Sequence, residues 1–462
     1  MLVQAPIWGY SLAFGIFQEY YTSNAAGIAS LRGPHDAAAI APIGTSQTGV
    51  LYLMMPVAFT LLTRFPRLRQ WFGPLGLVLT SGCLLASSFA TTAAQLVAVQ
   101  GVLHAVGCGL LFSSTSLCLD EWFAERKGLA YGAMWSGKSG FGAGMPFMTS
   151  ALLNRYGART TLRIFSVGSA VLTIPPLLLM RPRPAADDTT TATSTSEGEN
   201  AVESSNNRSR GRVSFSFIYH PTFWVLQFGN ILQSLGYLMP STYLASYATL
   251  LGFPSITGPI FLALISLASV PGSLLIGLLN DQPKFKPTTV ILISSLGSAL
   301  PVFLLWGLGG GNGNSSNSSG GSSDSGSTST SHLAILVLFT LLYGFFAGGF
   351  SSTWSGILHE LKRTSTTTSS SSTDPHIDTG LIFGMLLGGR GLGFVLSGLV
   401  GPALLKASPS NPNNPLRVTG AAADFSGYAT QYGPMIIYTG FTALLGGWAW
   451  FWSAGKRVMR VL

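Results

Sequence analysis

GLAYGAMWSGK, Gly128 to Lys138, and GLIFGMLLGGR, Gly380 to Arg390, are two copies of one pattern. Each opens Gly-Leu, reaches an aromatic and a second glycine, and after five further residues ends on a cation. The offset of 252 that aligns Gly128 with Gly380 also carries Ala151-Leu152-Leu153 onto Ala403-Leu404-Leu405, so the register holds over a whole helix. Lys138 and Arg390 thus stand at matching points of a duplicated chain, each deep in an apolar stretch. A cation at the centre of a bilayer costs at least ~2.5–3.5 kcal/mol on insertion scales, so its default reading is functional. A central site facing both halves is the expectation.

The stretches around this pair identify the environment. Of 462 residues 47% are hydrophobic and only 9% charged, against the ~25% charged of a typical soluble domain. The apolar residues fall into blocks near the ~20 residues that cross ~30 Å of hydrocarbon as a helix. Twelve are present, at roughly 1–18, 44–63, 73–91, 94–118, 128–153, 161–180, 221–250, 256–279, 287–308, 333–358, 380–405 and 433–453. Spanning strands would alternate in polarity, and these uniformly apolar, Gly-rich runs do not. The fold class is therefore an all-α membrane protein of twelve spans in two six-helix bundles. Residues 1–180 form the first bundle, 181–220 a disordered cytoplasmic linker rich in Ser, Thr, Asp, Glu and Arg, and 221–462 the second.

A second repeat supports duplication. LLTRFPRLR, Leu61 to Arg69, matches LLNDQPKFK, Leu278 to Lys286, and each copy follows the second span of its half. These loops bring Arg67, Arg69, Asp281, Lys284 and Lys286 to one face, as candidate gating residues. Basic clusters at Arg64-Arg67-Arg69, Arg126-Lys127, Lys362-Arg363 and Lys456-Arg457 all fall on that face, which the positive-inside rule makes cytoplasmic, with both termini. The net charge of +9 mostly reflects this asymmetry and calls for no nucleic-acid partner. A Gly/Ser insertion on the other side carries sequons at Asn314 and Asn317, candidate glycosylation sites. The first span is short in this reading and begins at the initiator Met, as a clipped or marginal helix would.

What is missing is equally informative. Asp120, Glu121, Glu125, Asp281, Glu360 and Asp378 sit at helix ends or in short loops, and only Glu19 approaches a span, so no carboxylate lies deep in the bilayer. A substrate anion or a water-filled cavity is then the economical partner of Lys138 and Arg390. Asn230, Gln233 and Gln100 add polar groups to the seventh and fourth spans, and Trp354 and Tyr343 add amphipathic aromatics to the tenth. His104 is the one histidine well inside a span, able either to carry a proton or to pack as a neutral ring. Cys83, Cys108 and Cys118 are spaced as buried hydrophobes rather than as metal ligands. No catalytic constellation, cofactor motif or metal site emerges, and an enzyme is not expected.

Twelve spans in two repeated halves with a long middle loop resemble the major facilitator superfamily. WFAERKGLAYGAMWSGKSG, Trp122 to Gly140, resembles the signature of its monocarboxylate-porter family on entering the fifth span. FGIFQEYY, LLYGFFAGGFSSTWSG and GLIFGMLLGGRGLGF are similar to the fungal branch of that family. The resemblance implies a secondary transporter in which two bundles rock about a midplane site. The Asp and Arg of the family's eighth helix are absent here from Leu262 to Leu279, so proton-linked lactate transport does not carry over. Lys138 stands where the family has a small residue, and Arg390 follows the fungal pattern.

The function expected is transport of a small organic acid or anion, or an acidic metabolite. Substrate-contacting residues would be Arg390, Lys138, Trp354, Tyr343, Asn230, Gln233 and His104. One alternative is export of a largely neutral fungal secondary metabolite; another is a non-transporting sensor or defective paralogue. The partners expected are a small solute and the lipid bilayer of the plasma membrane, around a monomer without a cofactor.

Overall fold

The computed structural model describes residues 2–23, 34–123, 127–179, 216–254, 256–309, 325–358, 360–361, 379–408, 427–428 and 430–461. The described residues are almost entirely helical. In the first half the helices are Gln4–Ser23, Pro34–Leu53 with Met55–Arg64, Arg69–Ser87, and Ala93–Leu96 leading through a π segment into His104–Trp122. The fifth and sixth spans follow as one trace, Lys127–Leu179, broken at Gly157 with φ 74° and ψ 169°. The second half comprises Pro221–Tyr237 with Met239–Leu250, Thr257–Asp281, Pro287–Pro301, Ser325–Gly349, Thr379–Ala407, and Gly433–Leu445 with Trp448–Val461. This is the expected architecture of twelve helices in two bundles.

Several boundaries differ from the hydropathy reading. The first span is a full helix of 20 residues, Gln4–Ser23, which at 1.5 Å per residue is long enough to cross ~30 Å of hydrocarbon. Its polar residues, not its length, had blurred it. The second span starts near Pro34, ten residues before the apolar block, because alanines there sustain the helix. Of the stretch expected to be a disordered linker, Ser216–Tyr219 forms a 3₁₀ turn whose Phe217 is buried against Phe223. Residues 181–215 of that linker, Asn314 and Asn317 lie outside the described residues. By length and composition seven described helices qualify as membrane-crossing. The seventh span falls short because a break at Leu238 divides it between Tyr237 and Met239.

Local chemistry sets individual ends. The fourth span begins on a capping box: Gln95 N–H donates to the Thr92 hydroxyl at 3.3 Å, and Thr92 N–H donates back to the Gln95 amide oxygen at 3.3 Å. Gly157 occupies the left-handed φ that a side chain disfavours, which lets the fifth span end without unfolding the sixth.

The halves meet along two seams. At the first, a Cβ on Gly128 would lie 2.5 Å from the Gly277 carbonyl oxygen, and one on Gly132 would lie 2.7 Å from that of Ser273. Only glycine permits this backbone approach of the fifth span to the eighth. Ser136 Oγ donates across it to the Val270 carbonyl at 3.0 Å. Asp281 then closes the end: its two carboxylate oxygens accept from the backbone N–H groups of Gly128 and Leu129, each at 2.9 Å. The carboxylate satisfies free donors at the positive end of a helix, a placement that electrostatics favours. At the second seam the eleventh span packs on the second through Phe59–Phe383 and Tyr52–Phe394 ring pairs, with centroids 6.1 and 5.1 Å apart.

Asp281→Ala removes two bonds to a charged acceptor, each worth roughly 1.5–3 kcal/mol, from one conformation only. With the native cysteines replaced, spin labels at the exposed positions Arg67 and Lys284 report the separation of the halves at this face. The variant is expected to gain a longer-distance population in electron–electron resonance. An unchanged distribution would show that Asp281 does not hold this face closed.

Candidate functional site

The first seam lies on one side of Lys138, and a cavity lies on the other. On the fifth span the seam runs from Gly128 to Ser136 and the cavity wall from Lys138 to Gly142; on the eighth the wall is Leu262 to Ser269 and the seam lies beyond it. The cavity holds about 180 Å³, far above the ~10–15 Å³ that a single water requires. Its wall draws on both halves, with Trp8, Ser11, Thr48, Lys138 and Ser139 from one and Tyr237, Tyr243, Ser266, Tyr343, Phe394 and Ser397 from the other. Among the described residues no carboxylate lines it.

Lys138 reaches this cavity across aromatic faces. Its ammonium Nζ lies 4.3 Å from the Trp8 ring centroid and 5.3 Å from that of Trp135, three residues back on its own helix. Each such contact contributes about 0.5–2 kcal/mol and leaves the ammonium's hydrogen-bond donors free for water or a ligand. Trp8 is held in turn: its indole N–H donates to Gln4 Oε1 at 2.8 Å, and its ring packs on Tyr52, Phe112 and Trp135. Beside it the Ser11 and Thr48 hydroxyls pair at 2.9 Å and line the same wall.

Arg390 is placed differently. It is only 1% exposed and does not line the cavity. Its guanidinium carbon lies 4.5 Å from the Tyr237 ring, 5.3 Å from Phe394, 5.6 Å from Phe350 and 5.7 Å from Trp354. Nη1 donates to Gln233 Oε1 at 2.8 Å, while Nη2 is buried without a hydrogen-bond partner. The indole N–H groups of Trp135 and Trp354 are likewise buried and unpartnered, and their rings meet edge to face at 5.9 Å across the two halves. The cations are thus joined, Lys138 to Trp135 to Trp354 to Arg390, through contacts of 5.3, 5.9 and 5.7 Å. Three N–H donors of this centre are thus left without acceptors.

The other expected residues divide. Tyr343 lines the cavity, and its hydroxyl donates to the Tyr237 carbonyl at 3.0 Å. Trp354 is fully buried below the cavity, with Phe383 beside it at 5.6 Å. Asn230 and Gln233 belong to a ladder with Gln227 on one face of the seventh span. Gln227 donates to the Met385 carbonyl at 2.8 Å, Asn230 to the Leu386 carbonyl at 2.7 Å, and Gln233 accepts from Arg390. The ladder ties the seventh span to the eleventh inside one half and keeps these amides from the cavity. His104 lies behind the first span, its ring 5.4 Å from that of Tyr10 and its Nε2 3.7 Å from Cys108 Sγ. Gln100 is buried one turn earlier, within the π segment. Lys284, Lys286 and Arg67 are exposed on the sealed face, and Arg69 donates to the Leu62 carbonyl at 3.3 Å.

Trp8, Trp135, Tyr237 and Phe394, which cover the cations, were not singled out in the sequence. Two carried a usable signal: Trp135 precedes Lys138 by three residues and Phe394 follows Arg390 by four, spacings that share a helix face.

Comparison with known proteins follows the same lines. The Major Facilitator Superfamily pattern matches residues 7–373. The MFS-type transporter pynF of Aspergillus niger is 25% identical over 88% of this chain and 80% of its own length. Monocarboxylate transporter 10 of Danio rerio is 28% identical over 46% of this chain and 41% of its own. The agnestins efflux protein AgnL12 of Paecilomyces divaricatus is 26% identical over 59% of this chain and 57% of its own. Among solved structures, the proton:xylose symporter XylE superposes with a TM-score of 0.62 at 13% identity, covering 96% of this chain and 93% of the other.

Gln233→Leu deprives Arg390 Nη1 of its acceptor, a loss of roughly 1.5–3 kcal/mol, whereas Gln227→Leu removes a neutral bond worth about 1 kcal/mol. In purified protein the first substitution is expected to lower the melting temperature by clearly more than the second. Equal shifts would mean that the Gln233 bond does not carry the buried charge.

Proposed function

We propose that this chain, which belongs to the Major Facilitator Superfamily, moves a small organic acid or anion across a membrane by alternating access. The observation that carries this reading is Lys138, which faces the cavity over two indole rings with no carboxylate among the described residues of the wall. A cation already answered by an acid would have little need of a charged solute. This one has only aromatic faces and hydroxyls, so an anionic head group improves its state more than a neutral one would. The aromatic wall suits the apolar body of the same solute. Asp281 and the paired seams serve as the gate that must open for release on the sealed side.

In the same reading, residues 1–180 and 221–462 are the two moving bodies and 181–220 their linker. The sealed face and both termini are cytoplasmic, in accord with the basic loops, and the protein works as a monomer in the plasma membrane. Export of a largely neutral secondary metabolite is the second reading. It is favoured by a wall that carries one cation among many aromatic and hydroxyl groups, and by the likeness to an efflux protein.

In proteoliposomes offered a panel of radiolabelled monocarboxylic acids, Lys138→Gln is expected to reduce uptake ~10–100-fold, matching the loss of a charge-assisted bond of ~1.5–3 kcal/mol. Lys138→Arg should retain much of it. Uptake unaffected by Lys138→Gln would refute an anionic cargo at this residue.

A further inference from the structure

The two halves present the same device in two states. In each, a cation on the fifth helix of the half is covered by an aromatic ring from the first helix of that half. Trp8 lies 4.3 Å from the Lys138 ammonium, and Tyr237 lies 4.5 Å from the Arg390 guanidinium. Lys138 nevertheless reaches the cavity, whereas Arg390 is only 1% exposed. Tyr237 and Phe394 both line the cavity and both face Arg390, so they stand between the cation and the open space.

Tyr237 also sits at a joint. It is the last residue of helix Pro221–Tyr237, Leu238 separates it from helix Met239–Leu250, and Pro240 has no N–H to continue the ladder across the break. The Tyr343 hydroxyl from the tenth span donates to the Tyr237 carbonyl at 3.0 Å, which latches this joint. Beneath the ring the hydrogen bonding is incomplete: Arg390 Nη2 and the Trp354 indole N–H are both buried without acceptors. Donors left unpaired in a dry interior are costly, and an entering acceptor would relieve that cost.

We infer that Arg390 is a second, latent anion station, shuttered from the cavity by Tyr237, to which the carboxylate first met by Lys138 is handed as the seventh span bends at Leu238. The station takes a carboxylate or a comparable monovalent oxyanion. It rests on the reading above that the cargo is anionic. Passing the charge from a residue of one half to a residue of the other would draw the halves together, coupling occupancy to closure on the cavity side.

The test uses the full-length chain in lipid nanodiscs, labelled at arginine with phenylglyoxal and at lysine with an acylating reagent, with sites resolved by mass spectrometry. Benzoate is the probe anion. Arg390 is expected to resist phenylglyoxal in the unaltered chain and to react at least ~10-fold faster in Tyr237→Ala, with a smaller gain in Tyr343→Phe, which loses only the latch. Lys138 labelling, equal in all three proteins, reports that each is folded with its cavity open. Saturating benzoate should slow labelling of Lys138 throughout and of Arg390 once the shutter is removed. If Arg390 stays unreactive in Tyr237→Ala while Lys138 reacts normally, Tyr237 is no shutter. If Arg390 becomes reactive and benzoate protects Lys138 alone, there is no second station. If benzoate protects neither residue, the anionic reading itself falls, and the station with it.

Discussion

A positive charge inside an apolar helical bundle has to be answered, and among the described residues two of them are answered without an acid. Aromatic faces do most of the work: Trp8 and Trp135 at Lys138, and Tyr237, Phe350, Trp354 and Phe394 at Arg390. At about 0.5–2 kcal/mol each, such contacts are of the order needed to offset the ~2.5–3.5 kcal/mol insertion cost of a central cation. A buried ion pair would neutralise the charge permanently. A π face tolerates the charge and leaves its hydrogen-bond donors available. The aromatic rings gathered around both cations, and the Arg390 Nη2 left without an acceptor, accord with this choice.

The rest of the architecture controls who reaches those donors. The fifth and eighth spans approach closely enough at Gly128 and Gly132 to shut one side, and Asp281 fastens the helix end that they expose. Beyond Ser136 the same helices contribute Lys138, Ser139 and Gly142 and Leu262, Ile265, Ser266 and Ser269 to the cavity wall. Separation of the halves at this face would break both hydrogen bonds of one carboxylate, at a cost of a few kcal/mol. That is large enough to bias an equilibrium and small enough for a bound solute to overcome.

Much of the fold was legible in the sequence because membrane helices are written in long apolar blocks and the duplication kept its register. The matching positions of Lys138 and Arg390, and of the loops that hold Arg67 and Asp281, follow from the repeats. Helix rotation was not legible. A uniformly apolar span gives no amphipathic signal to say which face is inward, so Asn230 and Gln233 could not be told from cavity residues, and they turn out to bind the eleventh span. His104 was misplaced for the same reason, facing Tyr10 behind the first span. Arg390 and Lys138 looked equivalent in sequence because exposure depends on which aromatic ring stands over each, a tertiary fact. Pro240 was the visible hint of the joint at Leu238, and it sits two residues after it.

The central claim is that negative charge on the solute is what the midplane recognises. It is tested most directly by comparing an acid with its isosteric amide, benzoate with benzamide, for equilibrium binding to the unaltered protein, read through the emission of the tryptophans around Lys138. The account predicts that benzoate binds at least ~10-fold more tightly, the equivalent of ~1.4 kcal/mol, with the preference weakening as salt competes for the ammonium. Equal affinity for acid and amide, unaffected by salt, would contradict it and would mark the cavity as a site for neutral solutes.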